Sequence, residues 1–410
     1  MEIIIQKFGG TSLRTPEERK KAVQIVTATR NTGYSVVVVV SAIGRSGDPY
    51  ATDTLLEMFA EGSKTGGRGA SPRETDLLLS CGEIISATLF AGLLQASGLS
   101  AQALTGAQAG IITDDNFGNA HIIRIVPDRV LQALEQGQVV VVAGFQGRTD
   151  SGEITTLGRG GSDTTAVALG AALKAKRVEI FTDVSGIMTA DPRISREAKL
   201  LKRVTYQEVV ELAHLGAKVI HPRAVELAMA AGLELWIKGF NDDSEGTLVA
   251  GSPERGVEIH GDKVITGIAH ISGVAQVRVN LNPETPAPRQ HVEIFSIMAR
   301  HDISVDIINV FPDLVVFTVQ EKDLETADTA LREAGYSPES RGGFAKVSAV
   351  GAGMRGVPGV MARIAKALTE AGVEIFQSVD SHANISCLVR EDQLEAAIRA
   401  LHKEFALAGD

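Results

Sequence analysis

The sequence predicts an α/β fold in two parts: a largely parallel sheet sandwiched by helices, followed by two small α+β modules. From residue 1 to about 245, short runs of β-branched residues alternate with helical patterns. Runs that are apolar on both faces are typical of parallel strands covered by helices. Beyond residue 264 the sequence repeats at an offset of 70 residues, with Val277 matching Val347 and residues 316–331 matching 386–401. This repeat predicts two copies of one module.

The elements of the first part are predicted from apolar runs and from a helix start signal. The predicted strands are Ile3–Ile5, Val36–Val40, Val139–Ala143, Val178–Phe181 and Leu233–Ile237. Thr15 is a suitable N-cap, Pro16 occupies the first helical position and Glu18 completes a capping box. The first part should therefore begin with a strand, a turn and a capped helix.

The second part is predicted as two βαββα passes. The first comprises a strand Ala275–Val279, a helix, strands near 303–308 and at Leu314–Val319, and a helix Leu324–Ala334. The second comprises a strand Ala345–Val350, a helix Val360–Glu370, strands Val373–Phe376 and Ile385–Val389, and a helix Leu394–Glu404. Residues 246–263 are charged and contain glycine, which predicts a linker. We therefore expect domains at 1–245, 264–340 and 341–410.

Composition limits the possible partners. The 410 residues carry a formal net charge of -10, which leaves no basic footprint for nucleic acid or an anionic membrane. No apolar run approaches the ~20 residues of a membrane span, and two isolated cysteines fit a reducing compartment. We expect a cytoplasmic protein without nucleic-acid or membrane partners, in which any anion site concentrates positive charge locally.

The first candidate site is Lys7–Ser12, which reads Lys-Phe-Gly-Gly-Thr-Ser between the first strand and the first helix. Gly9 and Gly10 let the backbone approach an anion, and Lys7 supplies a point charge. The lysine precedes the glycines, so this is not a Walker A loop. Taken alone, the segment is equally compatible with an ordinary tight turn.

A second glycine-rich segment, at 156–165, runs into an apolar helix. Three glycines surround Arg159, and Ser162 or Asp163 is expected to cap the helix. A helix N-terminus beside an arginine binds carboxylate or phosphate well. The alternative is a capped loop with a surface arginine.

Other candidate residues lie at predicted strand and helix ends. Thr182 and Asp183 fall at the carboxyl end of a strand, where open α/β sheets bind ligands. Asp191 and Arg193 follow in a segment that also reads as a standard turn, and Lys218 is a further candidate cation. Ser41, Thr52 and Glu83 are each also compatible with a cap or turn.

Charge makes this set coherent. A carboxylate is already ionised at neutral pH, so its phosphorylation needs no general base. The difficulty is to bring two anions together, which requires cations, helix ends and Mg²⁺. Lys7, Arg159 and Lys218 supply such cations, and no Ser-His-Asp set is evident. The sequence therefore permits a kinase acting on a small carboxylic acid.

Together the segments resemble one known family, the aspartate kinases, in motif order and spacing along essentially the full chain. The motifs are KFGGTS at 7–12, SCGE at 80–83, TGAQAG at 105–110, AGFQG at 143–147, TLGRGGSDTTA at 156–166, FTDVSGIMTADPR at 181–193 and GAKVIHPRA at 216–224. The C-terminal repeat is similar to that family's paired ACT domains. The resemblance implies an amino-acid-kinase fold followed by two ferredoxin-like βαββαβ ACT domains, with a strand at 265–269 pairing into the second.

The resemblance implies transfer of the ATP γ-phosphate to the side-chain carboxylate of L-aspartate, at the start of lysine, diaminopimelate, threonine and methionine synthesis. Lys7 and Asp163 would be catalytic. The residues implied at ATP are Lys7, Phe8, Gly9, Gly10, Thr182, Asp183, Asp191, Arg193 and Lys218. Those implied at aspartate are Ser41, Thr52, Glu83, Arg159, Gly160, Gly161 and Ser162. Mg²⁺ would be held through the ATP phosphates, without protein ligands.

The resemblance also implies feedback regulation and a homo-oligomer joined through the ACT domains. An amino-acid effector would bind near Ser304, Asp306 and Asn309. Residues 44–53 resemble the diaminopimelate-sensitive type, which favours diaminopimelate over lysine or threonine. Residues 280–289 are proline-rich and depart from the loop that many relatives carry in the first ACT copy.

Two alternatives stay open at this level. One is a sister amino-acid kinase acting on glutamate, acetylglutamate or a nucleotide monophosphate. The other is a non-catalytic ACT-type amino-acid sensor, in which the kinase fold only transmits ligand binding. The ACT-like repeat and the SCGE motif favour aspartate kinase over the first, and the set of Lys7, Arg159 and Asp163 favours it over the second.

Overall fold

The computed structural model describes residues 1–63, 71–217, 219–242, 244–251, 264–354 and 356–408. These residues form two compact units. The first unit contains the described residues of 1–187, 200–213 and 218–255. The second contains those of 188–199, 214–217 and 256–410.

Helices and strands alternate through the first 250 residues. The helices are α1 (Pro16–Asn31), α2 (Thr52–Ser63), α3 (Pro72–Ala96), α4 (Asp128–Glu135), α5 (Gly161–Ala172), α6 (Tyr206–His214) and α7 (Pro222–Ala231). The strands are β1 (Ile3–Phe8), β2 (Ser35–Val40), β3 (Ala101–Leu104), β4 (Ile111–Thr113), β5 (Ile122–Ile125), β6 (Val139–Ala143), β7 (Gln146–Arg148), β8 (Ile154–Thr156), β9 (Arg177–Thr182), β10 (Arg203–Thr205), β11 (Leu235–Gly239) and β12 (Thr247–Ala250).

An eight-stranded sheet with the order β10-β12-β11-β9-β1-β2-β6-β3 forms the centre of the first unit. Its neighbouring strands pair in parallel, except that β11 and β12 are antiparallel. Every residue of β6 is buried, as expected for a strand covered on both faces. The predicted parallel α/β sheet is therefore confirmed, with each predicted run lying within or beside a strand.

A second, four-stranded sheet has the order β5-β4-β7-β8 and is absent from the sequence prediction. Its strands are only three or four residues long. Strands this short show no measurable period of two, so the sequence gives no signal for them. This sheet matters for the site because β8 leads directly into the glycine-rich segment at 156–165.

The predicted start of α1 is confirmed atom by atom. The backbone N–H of Glu18 donates to Thr15 Oγ1 at 3.2 Å, and the N–H of Thr15 donates to Glu18 Oε2 at 2.8 Å. Pro16 occupies the first helical position. This reciprocal capping satisfies two of the free N–H groups at the helix start.

Among the described residues, α3 alone has the length and apolar composition needed to cross a membrane. Half of its most apolar 18-residue window is buried within the protein, as happens in the core helix of a soluble protein. The sequence analysis did not recognise α3 as a long apolar helix, because the acidic residues Asp76 and Glu83 interrupt the apolar run. A single helix of this kind is weak evidence for a membrane span.

The second unit contains the two predicted α+β modules. Its elements are β13 (Gly267–Asn280), α8 (Ala287–Arg300), β14 (Asp306–Val310), β15 (Leu314–Gln320), α9 (Leu324–Glu333), β16 (Pro338–Val350), α10 (Val360–Glu370), β17 (Gln377–Asp380), β18 (Asn384–Arg390) and α11 (Leu394–Glu404). The strand order is β14-β15-β13-β16-β18-β17. The two long central strands serve both modules. The first half of β13 pairs with the last residues of β16, whereas its second half pairs both with β15 and with the first residues of β16.

One strand of the second module was predicted four residues too early. The apolar signal at 373–376 lies in the turn after α10, where Val373 is buried in the module's core. The backbone N–H of Val373 returns to the carbonyl of Leu368 at 2.9 Å, which closes the end of the helix. The strand itself, Gln377–Asp380, is mostly polar, so its sequence carries little strand signal.

Candidate active site

The carboxyl ends of three parallel strands bring the first candidate residues together. Phe8, near the end of β1, pairs with Val40 of β2 on one side and with Phe181 of β9 on the other. The segments that follow these strands therefore emerge at one edge of the sheet. They carry Gly9 and Gly10, Ser41, and Asp183, which follows Thr182, the last residue of β9. This edge is where open α/β sheets bind ligands.

Lys7 and Asp163 form an ion pair at this edge. Lys7 Nζ lies 2.7 Å from Asp163 Oδ1, and each side chain is only 13% exposed. Lys7 belongs to β1 and Asp163 to the first turn of α5. The pair therefore connects the glycine turn after β1 to the N-terminus of a buried helix.

The glycine turn after β1 is held against the loop after β2. A Cβ on Gly10 would lie 2.3 Å from the carbonyl oxygen of Ala42, so only glycine fits there. The N–H of Gly44 donates to the carbonyl of Gly10 at 3.0 Å. Gly9 lies beside Lys7, whose Nζ would be 3.8 Å from a Cβ on Gly9. The lysine ammonium thus lies beside a half-buried glycine backbone, which suits a phosphate.

The predicted cap of α5 is wrong. The helix begins at Gly161 after Gly160, and no side chain caps it. Gly160 adopts a left-handed φ of +68°, and a Cβ there would lie 2.2 Å from the side chain of His221. The tight turn starts the helix earlier than expected, so Ser162 and Asp163 lie inside its first turn. The N–H of Gly161 donates to the carbonyl of Gly158 at 3.0 Å, whereas no side chain caps the N–H groups of Ser162 and Asp163, which can therefore meet an anion.

Arg159 lies in the glycine-rich loop just before this helix and is exposed. No salt bridge joins it to another residue of the described ranges, in contrast to Lys7. An arginine without an acidic partner beside a helix N-terminus can grip a carboxylate with two parallel hydrogen bonds.

Glu83 lies on the inward face of α3 and is only 2% exposed. Its Oε1 accepts a hydrogen bond from the N–H of Ala42 at 3.0 Å, and no described residue donates to Oε2. Burial raises the pKa of the Glu83 carboxyl to about 8, because one hydrogen bond does not offset the lost hydration. Ser41, directly before Ala42, is half-buried. Thr52 is half-buried at the start of α2.

The nucleotide candidates are distributed over both units. Thr182 Oγ1 donates to Asp183 Oδ1 at 3.2 Å, and Asp183 forms an exposed ion pair with Arg45 at 3.0 Å. Asp191 and Arg193 belong to the second unit, where they pair with each other at 2.6 Å. The hydrogen bond from Arg193 lowers the pKa of the Asp191 carboxyl. Lys218 lies outside the described residues.

The sequence prediction gave no role to Phe145, although it lies within the motif at 143–147. Phe145 has a φ of +68°, which is strained for a bulky residue. Its N–H donates to Thr165 Oγ1 at 3.1 Å, and its ring would lie 2.7 Å from a Cβ on Gly161. The strained turn after β6 therefore packs on the start of α5. The sequence holds no signal for this conformation, since phenylalanine rarely adopts it.

In the second unit, the effector candidates lie just before β14, at its first residue and within it. Asp306 pairs with the buried Lys346. Asn309 Oδ1 accepts from Gln377 Nε2 at 2.7 Å, and Ser304 is exposed. Two of the three candidates therefore contact residues of the second module. The described part of the chain contains no group of three or more His, Cys, Asp or Glu side chains able to hold a metal ion.

Comparison with known proteins defines first the class and then the family. Residues 2–239 match the model of the amino acid kinase family, and residues 339–403 match that of an ACT domain. Aspartokinase 1 of Bacillus subtilis is 49% identical over 416 residues, covering 100% of both chains. The chain therefore belongs to the aspartokinases.

Solved aspartokinase structures are similar to this chain over nearly its full length. Aspartokinase III of E. coli in complex with aspartate and ADP is 27% identical, with a TM-score of 0.77 and coverage of 98% of this chain and 99% of that one. The same enzyme in complex with lysine and aspartate has a TM-score of 0.78 and 27% identity, covering 99% of this chain and 100% of that one. The predicted fold class and the predicted activity, aspartate kinase, are confirmed. These relatives do not support the sister-kinase or sensor alternatives.

Glu83 gives a prediction on pH and stability. The folded protein holds the Glu83 proton up to about pH 8, whereas the ordinary pKa is 4.5. Wild type therefore loses stability relative to Glu83→Gln as pH rises from about 4.5 to about 8, and the difference is constant above that. We expect the thermal midpoint of Glu83→Gln, measured without substrate, to rise relative to that of wild type between pH 5.5 and 8.

Glu179→Gln is the matched control. Glu179 is also buried, and burial opposes its ionisation, but the charges of Lys238 and Arg177 and a bond from Gln6 leave its pKa lowered. Its contribution to stability is lost only at more acidic pH, so this variant should differ from wild type by a constant amount between pH 5.5 and 9. A constant difference for Glu83→Gln as well would contradict the prediction.

Proposed function

We propose that this aspartate kinase binds ATP and L-aspartate at the carboxyl edge of its parallel sheet and forms 4-phospho-L-aspartate there. The observation that carries the proposal is the meeting of Lys7 with the first turn of α5, between two glycine-rich turns. The complex of E. coli aspartokinase III with aspartate and ADP supports this choice of ligands.

In this reaction Lys7 and Asp163 are the catalytic pair. The attacking carboxylate of aspartate is ionised at neutral pH and needs no base. Its approach to the γ-phosphate is opposed by charge repulsion, which Lys7 and the N–H groups at the start of α5 reduce. Asp163 holds the Lys7 ammonium in position until phosphate arrives. Gly9 and Gly10 contact the phosphates through their backbone.

Aspartate is held at its two ends. Arg159 grips a carboxylate of the substrate, and Glu83 accepts hydrogen bonds from its ammonium group. The ammonium supplies the positive charge that Glu83 lacks in the free protein, so Glu83 ionises as aspartate binds. The remaining residues proposed at aspartate are Ser41, Thr52, Gly160, Gly161 and Ser162.

The nucleotide is bound by residues at the carboxyl ends of β1 and β9 and by residues that follow β9 in the chain. Those proposed are Phe8, Thr182, Asp183, Asp191, Arg193 and Lys218. Mg²⁺ accompanies ATP and neutralises its phosphates. Phosphate oxygens and water would hold the ion, a coordination that Mg²⁺ commonly adopts.

The roles of Lys7 and Arg159 are separable. We expect Lys7→Ala to lower kcat about a hundredfold or more, because its charge acts on the transferring phosphate. Arg159→Ala should mainly raise KM for aspartate, by about tenfold or more, because it removes binding to the ground state. Steady-state kinetics of ATP turnover with aspartate, glutamate and acetylglutamate measures both effects.

Lys176→Ala is the matched control, since Lys176 lies before the first residue of β9, at the opposite edge of the sheet, where it pairs with Glu2. It should leave both parameters near wild type. Equal effects of Lys7→Ala and Arg159→Ala on kcat and KM would refute the division of roles. A wild-type chain without aspartate-dependent turnover would refute the proposed function itself.

The effector is proposed to bind near Ser304, Asp306 and Asn309, with diaminopimelate favoured over lysine and threonine. The lysine complex of E. coli aspartokinase III supports a basic amino acid as the class of effector.

We expect diaminopimelate to inhibit at the lowest concentration. Asp306→Asn should raise its half-inhibitory concentration about tenfold, because a charge pair with an ammonium is lost, without changing uninhibited kcat. Asp392→Asn, an exposed acid elsewhere in the second unit, is the control. Stronger inhibition by threonine would contradict the choice.

A homo-oligomer joined through the ACT domains is proposed for a cytoplasmic enzyme. β14 is an edge strand, and Ile308, Val310 and Phe311 in and beside it are between 45% and 48% exposed. An apolar edge strand is a ready surface for a second copy. Light scattering with and without effector should therefore report at least a dimer. A monomer under both conditions would exclude this assembly.

The domain division at 1–245, 264–340 and 341–410 is kept as part of the proposal. The support is the shared element order of the two modules in the second unit. Most of the proposed linker, 246–263, lies outside the described residues.

A further inference from the structure

One face of α3 gives a polar group to each of three segments around the candidate site. Glu83 accepts from the N–H of Ala42 at 3.0 Å, and the carbonyl of Ser80 accepts from Gln146 Nε2 at 2.9 Å. Asp76 completes the series. Residues 76, 80 and 83 follow the i, i+4, i+7 spacing that puts them on one helix face.

The carboxylate of Asp76 is completely buried and accepts three hydrogen bonds. Oδ2 accepts from the N–H of Thr156 at 2.7 Å and from the N–H of Gly118 at 3.0 Å. Oδ1 accepts from Thr156 Oγ1 at 2.8 Å. The function derived above uses none of these contacts.

These bonds fix the start of the loop that carries Arg159. Thr156 is the last residue of β8, three residues before Arg159. The carbonyl of Thr156 also accepts from the N–H of Ala120 at 2.8 Å, and Asn119 Oδ1 would lie 2.8 Å from a Cβ on Gly158. Asp76 thus ties the first residue of the loop to the segment at 118–120 and to α3.

We propose that Asp76 is a positioning residue for aspartate binding. Its carboxylate holds the Arg159 loop at a set distance from Glu83, which lies two turns further along the same helix, about 10 Å by the helical rise. Arg159 and Glu83 are proposed to hold opposite ends of the substrate, so α3 sets the position of the Arg159 loop relative to Glu83. The inference rests on the roles proposed for those two residues.

Two substitutions at Asp76 distinguish the effect of its hydrogen bonds on the Arg159 loop from the effect of its side-chain size. Asp76→Leu keeps the approximate size but leaves two N–H groups unpaired in the interior, so the loop must move to satisfy them. Asp76→Asn can accept both N–H bonds with its oxygen and donate its NH₂ to the Thr156 hydroxyl. We expect Asp76→Leu to raise KM for aspartate about tenfold or more. KM for ATP and kcat at saturating aspartate should stay within about threefold, and Asp76→Asn should be near wild type in all three.

A milder variant keeps the test valid if Asp76→Leu fails to fold. Thr156→Val removes only the hydroxyl bond and should raise KM for aspartate about twofold to threefold, whereas Thr156→Ser should restore it. Aspartate affinity measured by calorimetry without ATP should follow the same order.

Glu179→Leu is the matched control for lost stability. Glu179 is a buried carboxylate with three donors, Gln6, Arg177 and Lys238, in the middle of the sheet. It should lower the thermal midpoint and leave KM for aspartate unchanged. Asp76 variants that resemble Glu179→Leu in both measurements would overturn the positioning role, while the effect of Arg159→Ala would still stand. Absence of aspartate-dependent turnover in wild type would instead overturn the proposed function.

Discussion

The ion pair between Lys7 and Asp163 is the interaction on which the site depends. It joins the end of the central strand β1 to the first turn of α5. A partly buried ammonium needs a partner, and Asp163 provides one beside the glycine turn. The helix start and the lysine are thereby held together before any ligand is present. Such preorganised charge is what stabilises a transferring phosphoryl group.

The Lys7–Asp163 pair depends on rigid elements, because these elements fix the positions of the loops around it. Parallel pairing delivers the ends of β1, β2 and β9 to one edge of the sheet, and the polar face of α3 ties down the segments near Ala42, Gln146 and Thr156. The loops themselves are glycine-rich, so their backbones would otherwise be mobile. A site made of flexible segments therefore keeps its geometry through buried hydrogen bonds to one helix.

Sequence patterns predicted those parts of the molecule whose signal is local. The strand runs and the Thr15 capping box depend on neighbouring residues and were found at the expected places. The cap of α5 was predicted wrongly because Gly160 turns left-handed against His221, a contact 61 positions away in the chain. Asp76 was missed although an acid on the inward face of an apolar helix is a readable signal. The polar strand β17 and the three-residue strands of the small sheet gave no period to read.

The two buried acids of α3 show how one helix serves two purposes. Asp76 receives three donors from fixed backbone and a hydroxyl, so its acceptor capacity is met within the fold. Glu83, equally buried, receives one donor and keeps its proton to about pH 8. The two carboxyl groups differ in the number of hydrogen-bond donors that the fold supplies to them. At Asp76 the fold supplies three donors and fixes the loop, whereas at Glu83 no described residue donates to Oε2, the atom that the proposed function assigns to the substrate's ammonium. On the role proposed for Glu83, a substrate that carries its own ammonium is favoured over a plain dicarboxylate, because only the former supplies the charge that lets Glu83 ionise.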